Sequence, residues 1–341
     1  MRYKAHYQAG ITLIELMIAL ALGLVISAAA IMLLLTGQRS QILQQGAAGL
    51  QDDANFGLNY IAKDIRLSNL NTFSADINDR TAGGGIVLTS KANGFKDTTV
   101  TPDKIYSNLP EAIVVDNKYL SKGDDASNVN TEKSDQLVIQ YVPQYVTDPD
   151  DSTKLFGGFD CEGNRISVTK VASGTQPKNI IVQRYFLRTD DNAGSNEPHD
   201  ALVLACDAGY YSDAGTEAFN TDKAKGSVYG DAGEIIMRRV DYFHVMFGVQ
   251  NGVDFRYISP KDYMALTINP KPRILSVQLG ALVRSSSAVG RDRLIKDDQK
   301  FQVLDKEVTL KTPKTSSSKY VRQVVSQTIA LRNTFGERGQ S

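Results

Sequence analysis

Three residues near the start of the chain have the types and spacing to support a peptide-bond cleavage followed by an ion pair. Gly10 precedes Ile11, and Glu15 stands five positions after the glycine. Hydrolysis of the Gly10–Ile11 bond would leave a new amine on Ile11. In a helix this amine would lie about one turn from the Glu15 carboxylate, and the amine of a neighbouring subunit would be a second cation at similar depth.

The environment of Glu15 explains why it needs such a partner. Residues 11–35, ITLIELMIALALGLVISAAAIMLLL, contain no other charged residue. As a helix they would extend ~37 Å at ~1.5 Å per residue, enough to cross a hydrocarbon core of ~30 Å. A carboxylate inside a bilayer costs ~2.5–3.5 kcal/mol, so pairing between subunits would stabilise it and set the axial register of adjacent helices. The competing interpretation is a signal anchor with an incidental glutamate.

The flanking charges predict the orientation of this segment. Arg2 and Lys4 precede it, and the first basic residue after it is Arg39. Positive charge before the span predicts a cytoplasmic N-terminus, with the rest of the chain outside the inner membrane. An ordinary secretory signal ends in a small-residue cleavage site, whereas here Gly10 precedes the apolar run. We therefore predict a leader over residues 1–10 and a single transmembrane segment over residues 11–35.

The chain has two cysteines, Cys161 and Cys206, far apart in sequence and without C-x-x-C spacing. This arrangement argues against a metal site. If the domain lies outside the cytoplasm, we expect a disulfide between them, contributing roughly 3–4 kcal/mol. Two buried free thiols are the alternative.

Two acidic loops carry hard oxygen ligands of the kind that bind Ca²⁺. The candidate ligands are Asp148, Asp150 and Asp151 in the first loop and Asp190, Asp191, Asn192 and Glu197 in the second. Neither loop matches the D-x-[DN]-x-[DN]-G pattern. We expect solvated turns and no cofactor, with Ca²⁺ as the less favoured alternative.

Signatures of enzymes are missing from the sequence. It has no G-x-x-x-x-G-K-[ST] loop, the AGGGIV stretch lacks the G-x-G-x-x-G frame, and the serine clusters lack a G-x-S-x-G elbow. We expect a solvated His199 in a polar loop and a half-buried His244 in a strand. Lys plus Arg and Asp plus Glu both number 38, so the net charge of zero argues against direct nucleic-acid binding. We expect no enzyme.

An apolar stripe continues the helix beyond the membrane segment. Its members recur at helical spacing, namely Leu43, Ala47, Leu50, Ala54, Leu58, Ile61 and Ile65. The charged residues fall off the stripe, namely Asp52, Asp53, Lys63, Asp64 and Arg66. We predict one helix from Ile11 to Leu67, with residues 36–68 as a periplasmic amphipathic half. Four glycines either weaken this helix or allow close packing, namely Gly37, Gly46, Gly49 and Gly57.

After residue 68 the sequence changes to short segments rich in β-branched and aromatic residues, separated by turn-rich stretches. The segments are EAIVVD, DQLVIQYV, RISVTKV, NIIVQRYFLR, ALVLACD, YFHVMFGVQ, RILSVQLGALVR, FQVLDKEVTL and RQVVSQTIALR. No helical pattern alternates with them, which argues against a parallel sheet. We predict an α+β fold in which the long N-terminal helix packs on an antiparallel β-rich domain over residues 69–341.

The stretch GITLIELMIALALGLVISA resembles the class III signal of type IV pilins and pseudopilins. The resemblance implies that a prepilin peptidase cleaves after Gly10, that Ile11 is N-methylated, and that Glu15 acts in assembly. Ile11 stands where the family most often has phenylalanine.

Later segments resemble the PilW-type minor pilins in their order along the chain, and related features occur in J-type minor pseudopilins. The segments are EIIMRRVDYFHVMFGVQNGVDFRYI, RILSVQLGALVRSS and YVRQVVSQTIALRN. The resemblance implies a pilin-like fold and a minor pilin that primes a type IV pilus and is incorporated at or near its tip. The implied roles are motility, adhesion and DNA uptake.

The resemblance also implies partners and a location. The partners are other minor pilins, the major pilin, a tip adhesin, the prepilin peptidase and the inner-membrane assembly platform. The protein would be anchored in the inner membrane and then enter the pilus. Two alternatives stay open: a J-type minor pseudopilin of a type II secretion system, and a membrane-anchored periplasmic binding or enzymatic domain that is not cleaved after Gly10.

Overall fold

The computed structural model describes residues 10–194, 197–213, 218–220, 227–286, 288, 298–314 and 319–334. Residues 1–9 of the predicted leader lie outside these residues. One long helix, α1, is followed by antiparallel strands that fold around its C-terminal part.

Helix α1 spans Leu13–Ile65, 53 residues, and is ~80 Å long at the standard rise. The predicted helix from Ile11 to Leu67 was thus two residues too long at each end. At the start, Thr12 has extended backbone and acts as the N-cap. After the end, Asn69 and Asn71 have positive φ angles of 63° and 53°, a conformation that stops a right-handed helix.

The predicted apolar stripe is confirmed. Leu43 and Ala47 are half-buried, and the later members are buried, namely Leu50, Ala54, Leu58, Ile61 and Ile65. At Gly57 an added Cβ would lie 2.6 Å from Cε of Met237, so this glycine allows a strand to approach the helix closely. Around Gly37 and Gly49 no described heavy atom lies within 4 Å of an added Cβ. Close packing between the helix and a strand therefore explains the glycine at position 57, but it does not explain Gly37 and Gly49.

Sixteen strands and a second, short helix occur within the described residues. In chain order the strands are β1 (Phe95–Asp97), β2 (Lys104–Tyr106), β3 (Lys122–Asp125), β4 (Ser134–Tyr141), β5 (Val146–Thr147), β6 (Lys154–Phe159), β7 (Arg165–Thr169), β8 (Asn179–Thr189), β9 (Leu202–Ser212), β10 (Glu234–Arg238), β11 (Val240–Asn251), β12 (Asp254–Ile258), β13 (Arg273–Arg284), β14 (Lys300–Val303), β15 (Lys306–Thr309) and β16 (Arg322–Ala330). The short helix is α2 (Pro260–Ala265), and 3₁₀ turns lie at Asn117–Tyr119 and Arg332–Thr334.

The strands form two larger sheets and three small ones. The five-stranded sheet has the order β10–β9–β8–β4–β3, and the four-stranded sheet has the order β12–β11–β13–β16. The small sheets are β5–β6–β7, β1–β2 and the β14–β15 hairpin. Every pairing between described strands is antiparallel. The predicted α+β class, a long helix packed on an antiparallel β-rich domain, is confirmed.

Two strand predictions were wrong in detail. Residues 111–116, EAIVVD, form no strand; Ile113 is instead buried in a hydrophobic cluster that covers the outer face of the five-stranded sheet. The FQVLDKEVTL segment forms two strands and not one, because Leu304 has a positive φ of 54° and turns the chain.

The main core lies between the two larger sheets and is filled by α1. Leu58 and Ile61 of the helix share one cluster with Leu137 and Leu204 of the five-stranded sheet and Leu279 of the four-stranded sheet. Each sheet thus turns one apolar face toward the helix, which is the layered arrangement that buries a helix stripe. The rest of the domain depends on α1 as its central element.

One charged residue of α1 lies in this core against expectation. Asp64 falls off the apolar stripe, but only 7% of its surface is exposed. Its Oδ2 accepts a hydrogen bond of 2.9 Å from the hydroxyl of Tyr185, which is fully buried. Burial raises the pKa of Asp64 from 3.8 to about 6, although the bond from Tyr185 acts in the opposite direction. The charged form of Asp64 therefore destabilises the folded state.

We predict that Asp64→Asn removes a pH-dependent loss of stability. A raised carboxyl pKa means that the folded state binds the proton more tightly, so the wild type should lose up to ~3 kcal/mol as pH rises from ~4 to ~7. The variant should lose correspondingly less, as measured by urea unfolding of the detergent-solubilised full chain. Asp52→Asn, on the exposed face of α1, is the control and should behave as wild type. Equal pH dependence in wild type and Asp64→Asn would contradict the prediction.

The structure joins Cys161 and Cys206 in a disulfide, with the two Cα atoms 6.2 Å apart. Cys161 follows β6 of the three-stranded sheet, and Cys206 lies within β9 of the five-stranded sheet. The hydroxyl of Tyr60 on α1 donates a 3.0 Å hydrogen bond to the carbonyl of Cys161. Helix, large sheet and small sheet are therefore connected at one point.

Replacing both cysteines by serine should lower the free energy of unfolding by roughly 4 kcal/mol, because the open chain regains loop entropy when it unfolds. Urea unfolding of the full chain measures this loss, and reduced wild-type protein is the matched comparison. A loss below about 1 kcal/mol would show that the disulfide has no role in stability.

Candidate functional site

The predicted cleavage point lies immediately outside α1. Gly10 and Ile11 have no regular secondary structure, and Ile11 is 77% exposed. No described heavy atom lies within 4 Å of an added Cβ at Gly10. The backbone around the Gly10–Ile11 bond is therefore accessible and not held in helical hydrogen bonds, as a peptidase substrate requires.

Glu15 has a partner within its own chain that the sequence analysis missed. Both the backbone N–H and the hydroxyl of Thr12 donate to Oε2 of Glu15, each at 3.0 Å. The backbone N–H of Glu15 donates to the Thr12 hydroxyl at 3.3 Å. This capping box satisfies N–H groups that the first helical turn leaves free. Its signature, Thr-x-x-Glu, was present in the sequence.

The first half of α1 is not buried by any part of the chain that the structure describes. Residues 11–42 are exposed throughout. Within this part, the hydroxyls of Ser27 and Thr36 donate to the carbonyls of Gly23 and Met32, both at 2.8 Å. Their polar groups are thus satisfied inside the helix, which suits an apolar environment. Among the described residues, one helix, α1, is long and apolar enough to cross a membrane.

The expectation of solvated turns holds for the exposed Asp150, Asp191 and Asn192, but each acidic loop also has a buried carboxylate that is paired with arginine. Asp148 is buried and lies 2.6 Å from Nη2 of Arg165. Asp190 is also buried and lies 3.0 Å from Nη1 of Arg238 and 3.2 Å from Nη1 of Arg239. The Arg165 guanidinium holds the pKa of Asp148 below its usual range, together with a backbone N–H. Arginine thus supplies the cation at these carboxylates.

The second acidic loop also reaches a buried arginine. Glu197 lies 2.8 Å from Nη2 of Arg239 and 2.6 Å from Nη1 of Arg284, which is fully buried. Asp241 neutralises the same guanidinium at 3.4 Å and pairs with Arg322 at 2.8 Å. These pairs fix the loop to the ends of β11, β13 and β16. Asp150, by contrast, is mostly exposed.

Three carboxylates that no sequence pattern connects approach one another beside the disulfide. One oxygen each of Glu162, Asp207 and Asp231 lies within 4.8 Å of the others. Asp207 is paired with Arg184 at 2.7 Å, and burial raises the pKa of Glu162 to about 7. The cluster's negative charge is therefore partly offset by the guanidinium and by a proton on Glu162. Glu162 and Asp207 meet because each follows a cysteine of the disulfide.

Both histidine predictions within the domain were wrong. His199 was expected to be solvated, but it is 4% exposed, and its Nε2 lies 2.8 Å from the carbonyl oxygen of Lys311. Burial lowers the pKa of His199. His244 was expected to be half-buried, but it is 2% exposed. In both cases a segment from the C-terminal part of the chain covers the ring, which local sequence cannot reveal.

Comparison with known proteins connects these features to a family. Residues 210–333 match the family model described as Type IV Pilus-assembly protein W, and residues 5–31 match the prokaryotic N-terminal methylation motif. No curated protein sequence matches the chain significantly. A type IV-like pilin from Thermus thermophilus aligns over 84% of this chain and 96% of its own, with 9% identity and a TM-score of 0.34.

The two family matches occupy the two parts of the chain that the sequence analysis singled out. The methylation motif contains Gly10, Ile11 and Glu15. The PilW match contains β10, β13 and β16, strands that pack on α1. These matches confirm the resemblance to PilW-type minor pilins: the chain carries a stretch similar to the prokaryotic N-terminal methylation motif and, in its C-terminal part, a region similar to the Type IV Pilus-assembly protein W family.

Proposed function

We propose that the protein is a minor pilin that helps to prime the assembly of a type IV pilus and is incorporated at or near its tip. The observation that carries this proposal is the division of α1. Residues 11–42 are exposed and mostly apolar, whereas from Leu50 onward one face of the same helix is buried in the domain. An unpartnered apolar helix requires an apolar environment, which is the bilayer before assembly and neighbouring helices afterwards.

The proposed topology follows from the same helix. The leader, residues 1–10, lies in the cytoplasm, residues 11–35 cross the inner membrane, and residues 36–68 with the β-rich domain, residues 69–341, lie in the periplasm. The prepilin peptidase cleaves after Gly10, and Ile11 becomes the methylated N-terminus. The accessible, non-helical backbone at Gly10 and the methylation motif support this processing. Once assembled, the protein is at the cell surface.

Glu15 sets the register in the proposed assembly. Thr12 holds the carboxylate at the first turn of α1, and a methylated amine on Ile11 of a neighbouring subunit retains the positive charge that pairs with it. A mismatch along the helix axis would leave a carboxylate without a partner in an apolar environment, which is costly. The partners are other minor pilins, the major pilin, a tip adhesin and the assembly platform. Motility, adhesion and DNA uptake are the downstream roles, and the protein is not an enzyme.

The proposed function is tested by deleting the gene and scoring sheared surface pili and secreted exoproteins in parallel. We expect pili to be lost while secretion continues, because a priming subunit is needed before the filament can grow. Complementation with the full-length chain should restore pili. Loss of secretion with normal pili would contradict the proposal and favour a J-type minor pseudopilin.

We further predict that Glu15→Val and Glu15→Gln both prevent incorporation into filaments. Glutamine keeps the acceptor of the capping box but carries no charge, so it separates helix capping from ion pairing. Both variants should accumulate in the membrane with a folded domain and, by intact mass, should lack residues 1–10 and carry one methyl group. Their amount in sheared pili, relative to the membrane, should fall at least roughly tenfold, as expected for a lost charge-assisted contact.

Asp52→Asn is the matched control, because it removes a carboxylate from an exposed position on the same helix outside the apolar part. It should enter filaments as the wild type does. Normal incorporation of Glu15→Gln would refute the ion pair as the element that sets the register.

A further inference from the structure

His244 lies buried between two carboxylates. On β11, its Nδ1 is 2.6 Å from Oδ2 of Asp135 and its Nε2 is 2.7 Å from Oδ1 of Asp305. An ionised carboxylate can only accept hydrogen bonds, and a neutral imidazole has only one N–H to donate. With both carboxylates ionised, two such contacts at hydrogen-bond distance require a doubly protonated, positively charged ring.

The three residues connect three parts of the domain. Asp135 belongs to β4 of the five-stranded sheet, His244 to β11 of the four-stranded sheet, and Asp305 to the turn of the β14–β15 hairpin. The hairpin covers an apolar patch on the outer face of the four-stranded sheet, where Tyr242 and Leu282 are buried in one cluster with hairpin residues. Asp305 adds a charged contact between this hairpin and the sheet beneath it.

A glycine lets the hairpin approach the sheet closely. Gly280 on β13 is the register partner of His244. A Cβ at Gly280 would lie 2.8 Å from Cγ of Leu304 and 2.9 Å from Cγ1 of Val303. The hairpin turn thus rests directly on the backbone of β13, which places Asp305 within reach of the imidazole.

The two carboxylates differ in their surroundings. Asp135 is buried and also accepts a 2.8 Å hydrogen bond from the backbone N–H of Val245. The side chain of Asp305 is 43% exposed, and water can replace a lost partner there. A neutral His244 has one proton to donate, and leaving the buried Asp135 without it costs more free energy than releasing Asp305. Deprotonation therefore breaks the contact with the hairpin.

The other groups around the imidazole do not change this outcome. Tyr242, on the same strand, stacks at 5.8 Å between ring centroids, and Gly280 opposite brings no charge. Lys306 lies 3.7 Å from the second oxygen of Asp305, and Glu132 adds negative charge near Tyr242. Burial by itself would lower the pKa of His244, but the hydrogen bonds and charges of Asp135 and Asp305 together raise it above 6.5.

We propose that His244 is a proton-controlled clamp, whose imidazolium holds the β14–β15 hairpin on the four-stranded sheet and whose deprotonation loosens the hairpin while the rest of the domain stays folded. A raised histidine pKa gives a stabilisation that is complete below about pH 6.5 and is lost as pH rises through the folded-state pKa. Loosening would expose the apolar patch around Tyr242 and Leu282. In the proposed periplasmic location, the pH outside the cytoplasm would act directly on this patch.

Hydrogen exchange measured by mass spectrometry on the detergent-solubilised full chain tests the clamp. Samples would be compared from about pH 5.5 to about pH 8.5, with labelling times scaled to the intrinsic exchange rate. Protection of the peptide that covers residues 300–309 should fall about tenfold or more across this range, the size expected for a lost charge-assisted hydrogen bond. Protection of β13 should stay unchanged. A hairpin whose protection does not vary with pH would overturn the proposal.

Two variants identify the group that titrates. His244→Gln cannot be charged and should leave the hairpin weakly protected at every pH. Asp305→Asn should fold in any case, because residue 305 is partly exposed, and its amide can accept from the imidazolium or donate to the neutral ring. It should therefore give intermediate protection that does not depend on pH. A wild-type pH profile in Asp305→Asn would overturn the proposal.

Glu307→Gln is the matched control within the same hairpin. It removes an exposed ion pair of 2.7 Å between Lys300 and Glu307 that does not touch His244. Protection in this variant should keep the wild-type pH midpoint. A shifted midpoint would assign the pH response to the hairpin's surface charges and would overturn the role of His244.

Discussion

The structure depends on one continuous helix that must satisfy two different environments. An α-helix makes its backbone hydrogen bonds within itself, so α1 can pass from a bilayer into a folded domain without leaving polar groups exposed to lipid. Residues 11–35 are apolar around the whole circumference apart from Glu15, and no described residue covers them. The second half of α1 has only a stripe of apolar residues, and the two large sheets close around that stripe. The β-rich domain thus packs on the part of α1 that follows its apolar first half.

The domain carries several buried ionisable groups, and their environments give it a common response to pH. Burial raises the pKa of Asp64 and of Asp207 to about 6 and that of Glu162 to about 7. For His244 the flanking carboxylates outweigh burial and also raise the pKa. At each of these groups the folded state binds a proton more tightly than the unfolded chain does, so each contributes a stability that declines as pH rises. His199 and Asp148, whose pKa values are lowered, act in the opposite direction.

Most of the fold could be predicted from the sequence because its signals are periodic. The stripe from Leu43 to Ile65 has helical spacing, and strands such as β8 and β13 are long and rich in β-branched residues. The errors arose where a segment's environment decided its structure. Residues 111–116 have the composition of a strand, but they form a loop whose Ile113 packs against the outer face of the five-stranded sheet. The residue type of Leu304 did not predict that the chain turns at this position.

The sequence by itself determined the N-terminal segment, because Gly10, Ile11, Thr12 and Glu15 lie within six consecutive residues at the start of α1, so their spacing in the sequence fixes which of them are close together. Only the tertiary structure decided which distant groups meet. Asp64 meets Tyr185, and His244 meets Asp135 and Asp305, because sheet packing and strand register bring together residues that are 61 to 121 positions apart. Such contacts depend on how the helix and the sheets pack against one another. The sequence around each residue does not indicate that packing.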